Sequence, residues 1–276
     1  MKKLILFSTA MFFAGCLFAQ VKMPQPSPKQ TITQDFGQGT IEIVYSRPAA
    51  KGRKIFGDLV PYGVLWRTGA NAATKISFSE PVLINNKLID TGSYALYTIP
   101  GKDSWEIIIN KGFKNPGAVG YTESDDVVRF KVPAKKIKPS VESFTIGIDD
   151  VKPTTCEIKI SWDNTSVSFP VVANFKDKLR TQIETALAGD KKPYWLAAQF
   201  YREFDNDNQK ALSNVTSALD ENPKAFWMWL YKARIQKDMG DKAGAAISAN
   251  KSLEIATAEN NQDYIKMNKD LLKSLK

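Results

Sequence analysis

Alternating apolar and polar residues dominate the chain from residue 31 to residue 172. Short runs place β-branched or aromatic residues at every second position, and turn-forming residues separate them. The clearest runs are 40–45, 74–78, 93–98, 105–109, 127–132, 144–148, 156–162 and 166–169. Roughly nine short strands with no helical stretch among them predict an all-β sandwich over residues 31–172. Asn85-Asn86 and Asp163-Asn164 are each predicted to form a hairpin turn.

Beyond residue 172 the apolar positions recur with the helical period. A shift of 34 residues aligns Trp195 with Trp229 and Asp207 with Asp241. This shift is the length of a tetratricopeptide repeat, a pair of antiparallel helices. The pattern therefore predicts that an all-α, tetratricopeptide-like helical array follows the sandwich, over residues 173–276.

The N-terminus has the pattern of an export signal. Lys2 and Lys3 precede an apolar run, residues 4–19, that is short for a membrane span. We therefore predict a signal peptide over residues 1–19, a Pro-rich linker over residues 20–30, and a periplasmic or extracellular destination.

A second processing route is open at the same terminus. The segment ending at Cys16 resembles a lipoprotein cleavage box, which would leave Cys16 acylated and the protein attached to a membrane. Leu17 and Phe18 follow that cysteine where polar residues are usual, so cleavage after Ala19 is favoured. Membrane attachment is expected only if Cys16 is lipidated.

Residue content narrows the chemistry. The chain has no histidine, which excludes Ser-His-Asp and Cys-His nucleophilic schemes and metal sites built on histidine. Cleavage after Ala19 leaves Cys156 as the single cysteine, so an intrachain disulfide is excluded, and Cys156 is predicted to be a small buried hydrophobe. We predict no cofactor and no metal site.

The positive charge of the sandwich region is concentrated in one segment. Residues 20–172 contain 19 Lys and Arg against 15 Asp and Glu, an excess of four. Residues 47–67 contain five basic residues and one acid, which is the same excess. Charge confined to a segment rich in Gly, Pro and aromatics points to an anionic or hydroxyl-rich ligand such as a carbohydrate. Nucleic acid is not expected as a partner, because export and the lack of a binding motif oppose it.

Six residues are therefore candidates for ligand binding: Arg47, Lys51, Arg53, Arg67, Asn71 and Thr74. An equally weighted alternative gives the arginines a structural role, in which they bind backbone carbonyls or acids such as Asp58, Glu42 and Glu80. Trp66 is predicted to fill the core.

The helical array suggests a protein or peptide partner. In the tetratricopeptide register, Trp227, Arg234 and Lys237 face the concave side, where aromatics and cations suit an acidic peptide. The alternative is that this side packs against the sandwich or that the helices only stabilise the protein.

A family resemblance rests on the basic segment and its continuation. The run from Tyr45 to Asn71, followed by Gly92-Ser93-Tyr94-Ala95-Leu96, Ile99-Pro100, Trp105 and Asn110, resembles the exported bacterial family known as domain of unknown function 2911. The likeness covers residues 25 to 171 approximately. It implies no activity, because the family itself is uncharacterised.

A carboxylate-based hydrolase acting on glycans is the alternative function. Glu42, Glu106 and Glu157 lie in predicted strands and Asp125-Asp126 in a predicted loop, but no spacing pairs them. The sequence favours a binding or assembly protein over this enzyme.

Overall fold

The computed structural model describes residues 23–276. The predicted signal peptide and Cys16 lie outside the described residues. Ten strands come first: β1 (Lys29–Phe36), β2 (Gly39–Ser46), β3 (Thr74–Phe78), β4 (Val82–Ile84), β5 (Lys87–Ile89), β6 (Gly92–Ile99), β7 (Ser104–Asn110), β8 (Asp126–Pro133), β9 (Lys135–Asp149) and β10 (Thr155–Ala173). A single 3₁₀ turn, Glu123–Asp125, precedes β8.

The strands form two antiparallel sheets around one apolar core. The larger sheet has the order β1-β2-β3-β6-β7-β8 and the smaller has the order β5-β4-β10-β9. In β2, Ile41, Ile43 and Tyr45 are buried while Glu42 and Val44 lie on the outer face. The predicted β-sandwich is confirmed.

Part of the outer face of the larger sheet is also covered. Ala95 and Tyr97 of β6 are fully buried there and pack with Ile108 of β7 and with Tyr121. Tyr121 belongs to the segment 111–121, which crosses this face of the sheet. Outward-facing residues of the neighbouring β2 and β3, such as Glu42 and Lys75, stay partly exposed.

One predicted hairpin turn is confirmed and the other is wrong. Asn85 and Asn86, with φ of 49° and 60°, join β4 to β5 as a two-residue turn. Asp163 and Asn164 instead lie inside β10, where the pairing with β9 shifts on both sides of Asp163. Asp163 takes a φ of 50°, the left-handed conformation that a hairpin turn would also need, but here it forms a bulge. Its carboxylate accepts a hydrogen bond from the Ser140 hydroxyl.

Residues 47–73, here called the basic loop, join β2 to β3 and cover one end of the sandwich. Its Phe56 and Trp66 insert among core aromatics. The Phe56 ring lies 4.8 Å from Trp105, and the Trp66 ring is 6.0 Å from Trp162 and nearly parallel to it. These contacts fix the loop on the core, as predicted for Trp66.

Six helices follow: α1 (Lys176–Leu187), α2 (Tyr194–Glu203), α3 (Asn208–Glu221), α4 (Phe226–Asp238), α5 (Lys242–Ala258) and α6 (Gln262–Ser274). The predicted helical array is confirmed. Asp207 caps α3 and Asp241 caps α5 in the same way, each accepting a backbone N–H three residues on. Among the described residues, no helix has the length and apolar character that a membrane crossing requires.

Candidate functional site

A cavity of about 370 Å³ opens between the basic loop and the end of the sandwich. Lys51, Arg53 and Arg67 supply its polar wall, and Trp66 and Trp162 line its apolar side. The lining contains no Asp or Glu among the described residues. This combination of cations and rings in a concave site suits a small anionic ligand with a ring-shaped body.

The Arg53 side chain is held by the loop itself, whereas Lys51 is held through its backbone. Arg53 donates from Nε to the Ala50 carbonyl at 3.0 Å and from Nη2 to the Ala49 carbonyl at 2.6 Å. Lys51, at a φ of 50°, donates its backbone N–H to the Glu142 carboxylate at 2.8 Å. Within the described residues, neither Arg53 Nη1 nor Lys51 Nζ has a hydrogen-bond partner, so both are available to a ligand.

Arg67 has the most unused hydrogen-bonding capacity in the cavity. Its Nη1 donates to the Asn71 carbonyl at 2.9 Å, which closes the end of the basic loop. Gly117 lies against the Arg67 guanidinium, so closely that a Cβ at this position would come within 2.8 Å of Nη1. Hydrogen bonds to the described residues leave the Nε and Nη2 donors free.

Among the described residues, the one carboxylate that contacts the basic loop in a hydrogen bond is that of Glu142, at the Lys51 backbone N–H, and no ion pair neutralises the loop's basic side chains. Glu42 pairs with Lys75 at 2.8 Å and Glu80 with Lys178 at 3.1 Å, so neither acid contacts the loop arginines. Across residues 23–276, the loop's basic side chains form no ion pair. A site with fixed and unpaired cations attracts anions.

Arg47 lies outside this cavity. Its Nε donates to the Phe144 carbonyl at 3.0 Å and its Nη2 to the Thr145 hydroxyl at 2.8 Å. The side chain therefore ties the start of the basic loop to β9, in the opposite sheet. This is the structural role considered for the arginines, and the carbonyl bonds of Arg53 and Arg67 also fit that alternative.

The two remaining candidates also have local partners. Thr74 is fully buried and donates its hydroxyl to the Thr68 carbonyl. Asn71 is exposed and donates its amide to the Ser27 carbonyl at 3.3 Å and to the Ser46 hydroxyl at 3.1 Å. Asn71 borders a second cavity next to the first. The structure thus brings Lys51, Arg53 and Arg67 together, places Asn71 beside them and leaves Thr74 in the core.

Two parts of the lining could not be identified from sequence. Trp162 comes from β10, where its indole Nε1 donates to the Glu142 carbonyl at 3.1 Å. Pro26 and Ser27 come from the segment before β1. Pro26 and Ser27 meet the basic loop through the β1–β2 pairing and Trp162 meets it through packing between the two sheets, and no local motif marks them.

The predicted partner-binding residues of the array do not share one surface environment. Trp227 is 38% exposed at the start of α4. Arg234 Nη2 lies 3.5 Å from the Met267 sulfur, and Lys237 Nζ donates to the Ser274 hydroxyl at 2.8 Å. The two cations thus contact α6, while the indole faces solvent.

Two of the carboxylates considered for hydrolysis, Glu106 and Asp126, share the Arg129 guanidinium as a partner, while Glu42 and Glu157 lie elsewhere. Glu106 pairs with Arg129 at 2.9 Å, and Glu157 lies with Asp149 and Asp150 in a cavity of about 310 Å³ on the smaller sheet. Asp149 pairs there with Lys159 at 3.5 Å. Among the described residues, no group of three or more His, Cys, Asp or Glu is placed to hold a metal ion.

Residues 27–171 match the family described as "Protein of unknown function (DUF2911)". This match spans just over half of the chain. The chain belongs to this family. The DUF2911 region contains the basic loop and nearly all of both sheets, and the helices lie outside it. No curated protein and no solved structure matches the chain.

Proposed function

We propose that this DUF2911 protein is an exported binding protein whose basic-loop cavity holds an anionic or sugar ligand. The observation that carries the proposal is the set of three cationic side chains, Lys51, Arg53 and Arg67, that line one cavity and form no ion pair with a carboxylate of residues 23–276. Trp66 is partly exposed and adds an apolar surface against which a ring can pack, and the 2% exposed Trp162 supports it from the core. Export is part of the proposal, supported by the signal-like pattern of residues 1–19.

Glucuronate and glucose test this function, because they share a ring and differ in one carboxylate. Trp66 and Trp162 line the cavity, so binding is measured as a change in tryptophan fluorescence. Glucuronate is expected to bind and glucose to bind more weakly. Lys51→Ala and Arg67→Ala should each weaken glucuronate binding about tenfold, the size of one charge-assisted contact.

Lys54→Ala is the matched control. Lys54 is an exposed cation of the same loop that does not line the cavity. The proposal is contradicted if glucuronate does not bind, or if Lys54→Ala weakens binding as much as Arg67→Ala does.

The carboxylate-based hydrolase receives less support. The cavity lining holds no carboxylate among the described residues, and Glu42 and Glu106 are both ion-paired elsewhere. Binding without hydrolysis is therefore the better account of this site.

We also propose that the array consists of tetratricopeptide-like repeats that bind a protein or peptide. The equivalent caps Asp207 and Asp241 support the repeat, as do the fully buried Ala211 and Ala245 at the same shift. Trp227 is 38% exposed, and a solvated indole is a common anchor for a partner.

Co-purification from the native periplasm tests the array. Trp227→Ala is expected to lose partners that the natural protein retains. Ile247→Ala is the control, because Ile247 is 70% exposed on the neighbouring helix α5. An identical partner set for all three proteins would contradict this function.

A further inference from the structure

Two more cavities continue from the basic-loop cavity along the outer face of the larger sheet. The second has about 560 Å³ and is lined by Lys29, Lys75 and Phe113. The third has about 380 Å³ and lies over β2, β3 and the start of β6. Ser27 lines both the first and the second cavity, and Lys75 lines both the second and the third. Neighbouring cavities of the series therefore share one lining residue each.

Asn71 marks the boundary between the first two cavities. Its carbonyl accepts from Arg67 in the first, and its amide donates to the Ser27 carbonyl and the Ser46 hydroxyl in the second. All three hydrogen bonds are exposed. A ligand that leaves the first cavity thus meets a polar, hydrogen-bonding surface at this boundary.

Charge falls along the series of cavities while hydroxyl groups accumulate. The first cavity holds three cationic side chains that form no ion pair within the described part of the chain. In the second, Lys29 forms no ion pair among the described residues, and Lys75, which also lines the third, is neutralised by Glu42 at 2.8 Å. The third cavity is lined by five hydroxyl side chains: Thr40, Ser77, Ser79, Thr91 and Ser93. A matching ligand is acidic at one end and neutral and hydroxyl-rich along the rest.

The sheet topology favours a carbohydrate over a peptide. β2 and β3 are interior strands, paired with β1 and β6 as well as with each other, so their backbone groups are already used. A peptide binds a sheet through an open strand edge, whereas this face presents side-chain hydroxyls. Phe113 offers a ring on which the apolar face of a sugar can pack.

We infer that the three cavities form one groove for an oligosaccharide with an acidic unit at one end. The acidic unit lies among Lys51, Arg53 and Arg67, and neutral units pass Phe113 and reach Ser77 and Ser93. This inference rests on the proposed function, since the first cavity must bind the acidic unit.

A series of ligands with constant charge and increasing length tests the groove. Glucuronate is compared with conjugates in which it carries one to four neutral xylose units, by calorimetric titration of the full mature chain. Affinity is expected to rise about tenfold or more from glucuronate to the longest conjugate, because each added unit gains contacts without a new charge. Phe113→Ala should remove most of this gain and leave the affinity for glucuronate unchanged.

Val119→Ala is the matched control for Phe113→Ala. Val119 lies in the same segment, is 78% exposed and lines none of the three cavities. Glucuronate binding without a gain from added units would overturn the groove and leave the proposed function intact. The absence of binding by every member would overturn both. Binding of neutral xylotetraose as tightly as its acidic counterpart would overturn the acidic end.

Discussion

Arg47 and Arg67 stand at opposite ends of the basic loop and use their guanidinium groups differently. Arg47 spends two donors on the Phe144 carbonyl and the Thr145 hydroxyl of the opposite sheet. Arg67 makes one such bond, from Nη1 to the Asn71 carbonyl. Its Nε and Nη2 donate to none of the described residues. Residue type and spacing do not distinguish an arginine whose donors are used in the fold from one whose donors are free, so only the partners do.

Arg47→Ala is expected to lower the free energy of unfolding by about 1–3 kcal/mol, because two acceptors lose a charged donor. Arg67→Ala should cost less than half as much, since it breaks one exposed bond. Urea unfolding followed by circular dichroism measures both. Equal losses for the two variants would show that the loop depends on both arginines for its structure.

Cys156 is 1% exposed in β10, and burial raises the pKa of its thiol to about 11. Because the thiolate is the reactive form, the folded protein should keep this thiol protonated and inert from pH 7 to pH 9. With residues 1–19 removed, Cys156 is the single cysteine. We expect no reaction with a disulfide reagent in buffer at pH 8 and one thiol per chain in urea. Rapid labelling of the folded chain would contradict this burial.

At the scale of elements, the period-two pattern predicts the strands whose alternate residues enter the core. β4 and β5 are only three residues long, which is too short for a period to show. β1 is a polar edge strand in which Phe36 alone is buried, so its sequence resembles a loop. The hairpin turn predicted at Asp163-Asn164 was wrong for a related reason, because bulges and hairpin turns favour the same residue types.

From the sequence, only those residues of the candidate site that lie in one contiguous segment could be predicted. Charge clustering located the basic loop, and with it Lys51, Arg53 and Arg67. Trp162, Ser27 and Phe113 join the loop through strand pairing and chain crossings, which depend on the whole topology. Residues that are far apart in sequence and meet only in the folded chain produce no periodic pattern from which their contact could be predicted.

The helices α3 and α5 begin in the same way, at caps 34 residues apart. Asp207 accepts from the Lys210 backbone N–H at 2.9 Å and Asp241 from that of Gly244 at 2.8 Å. Asp207→Ala and Asp241→Ala should each cost about 1 kcal/mol, because one N-terminal N–H loses its partner. Thermal unfolding by circular dichroism measures the losses. Asp220→Ala, at an exposed position within α3, is the control, and a loss there as large as at the caps would exclude capping as the cause.

At the scale of the whole molecule, Phe175 connects the sandwich to the helices. The residue lies between β10 and α1 and is 5% exposed. Its ring meets Phe204 at the end of α2 at 5.3 Å, and it also packs over Gly37, where a Cβ would come within 3.2 Å of the ring. One side chain thus contacts the β1–β2 turn and the second helix together. The nearby Lys178–Glu80 pair, at 3.1 Å, is a surface contact.

Phe175→Ala is expected to cost about 3–5 kcal/mol at this junction, through lost burial and the cavity left behind. The same ring contacts both the sandwich and the helices. The lost free energy should therefore weaken the coupling between the sandwich and the helices and leave the core of each intact. Scanning calorimetry is therefore expected to show two separated unfolding transitions in the variant. In the natural chain the two transitions should lie closer together. Lys178→Ala is the control, since an exposed ion pair contributes only about 0–1 kcal/mol. If Phe175→Ala unfolds with the profile of Lys178→Ala, the two parts are held together by contacts other than this ring.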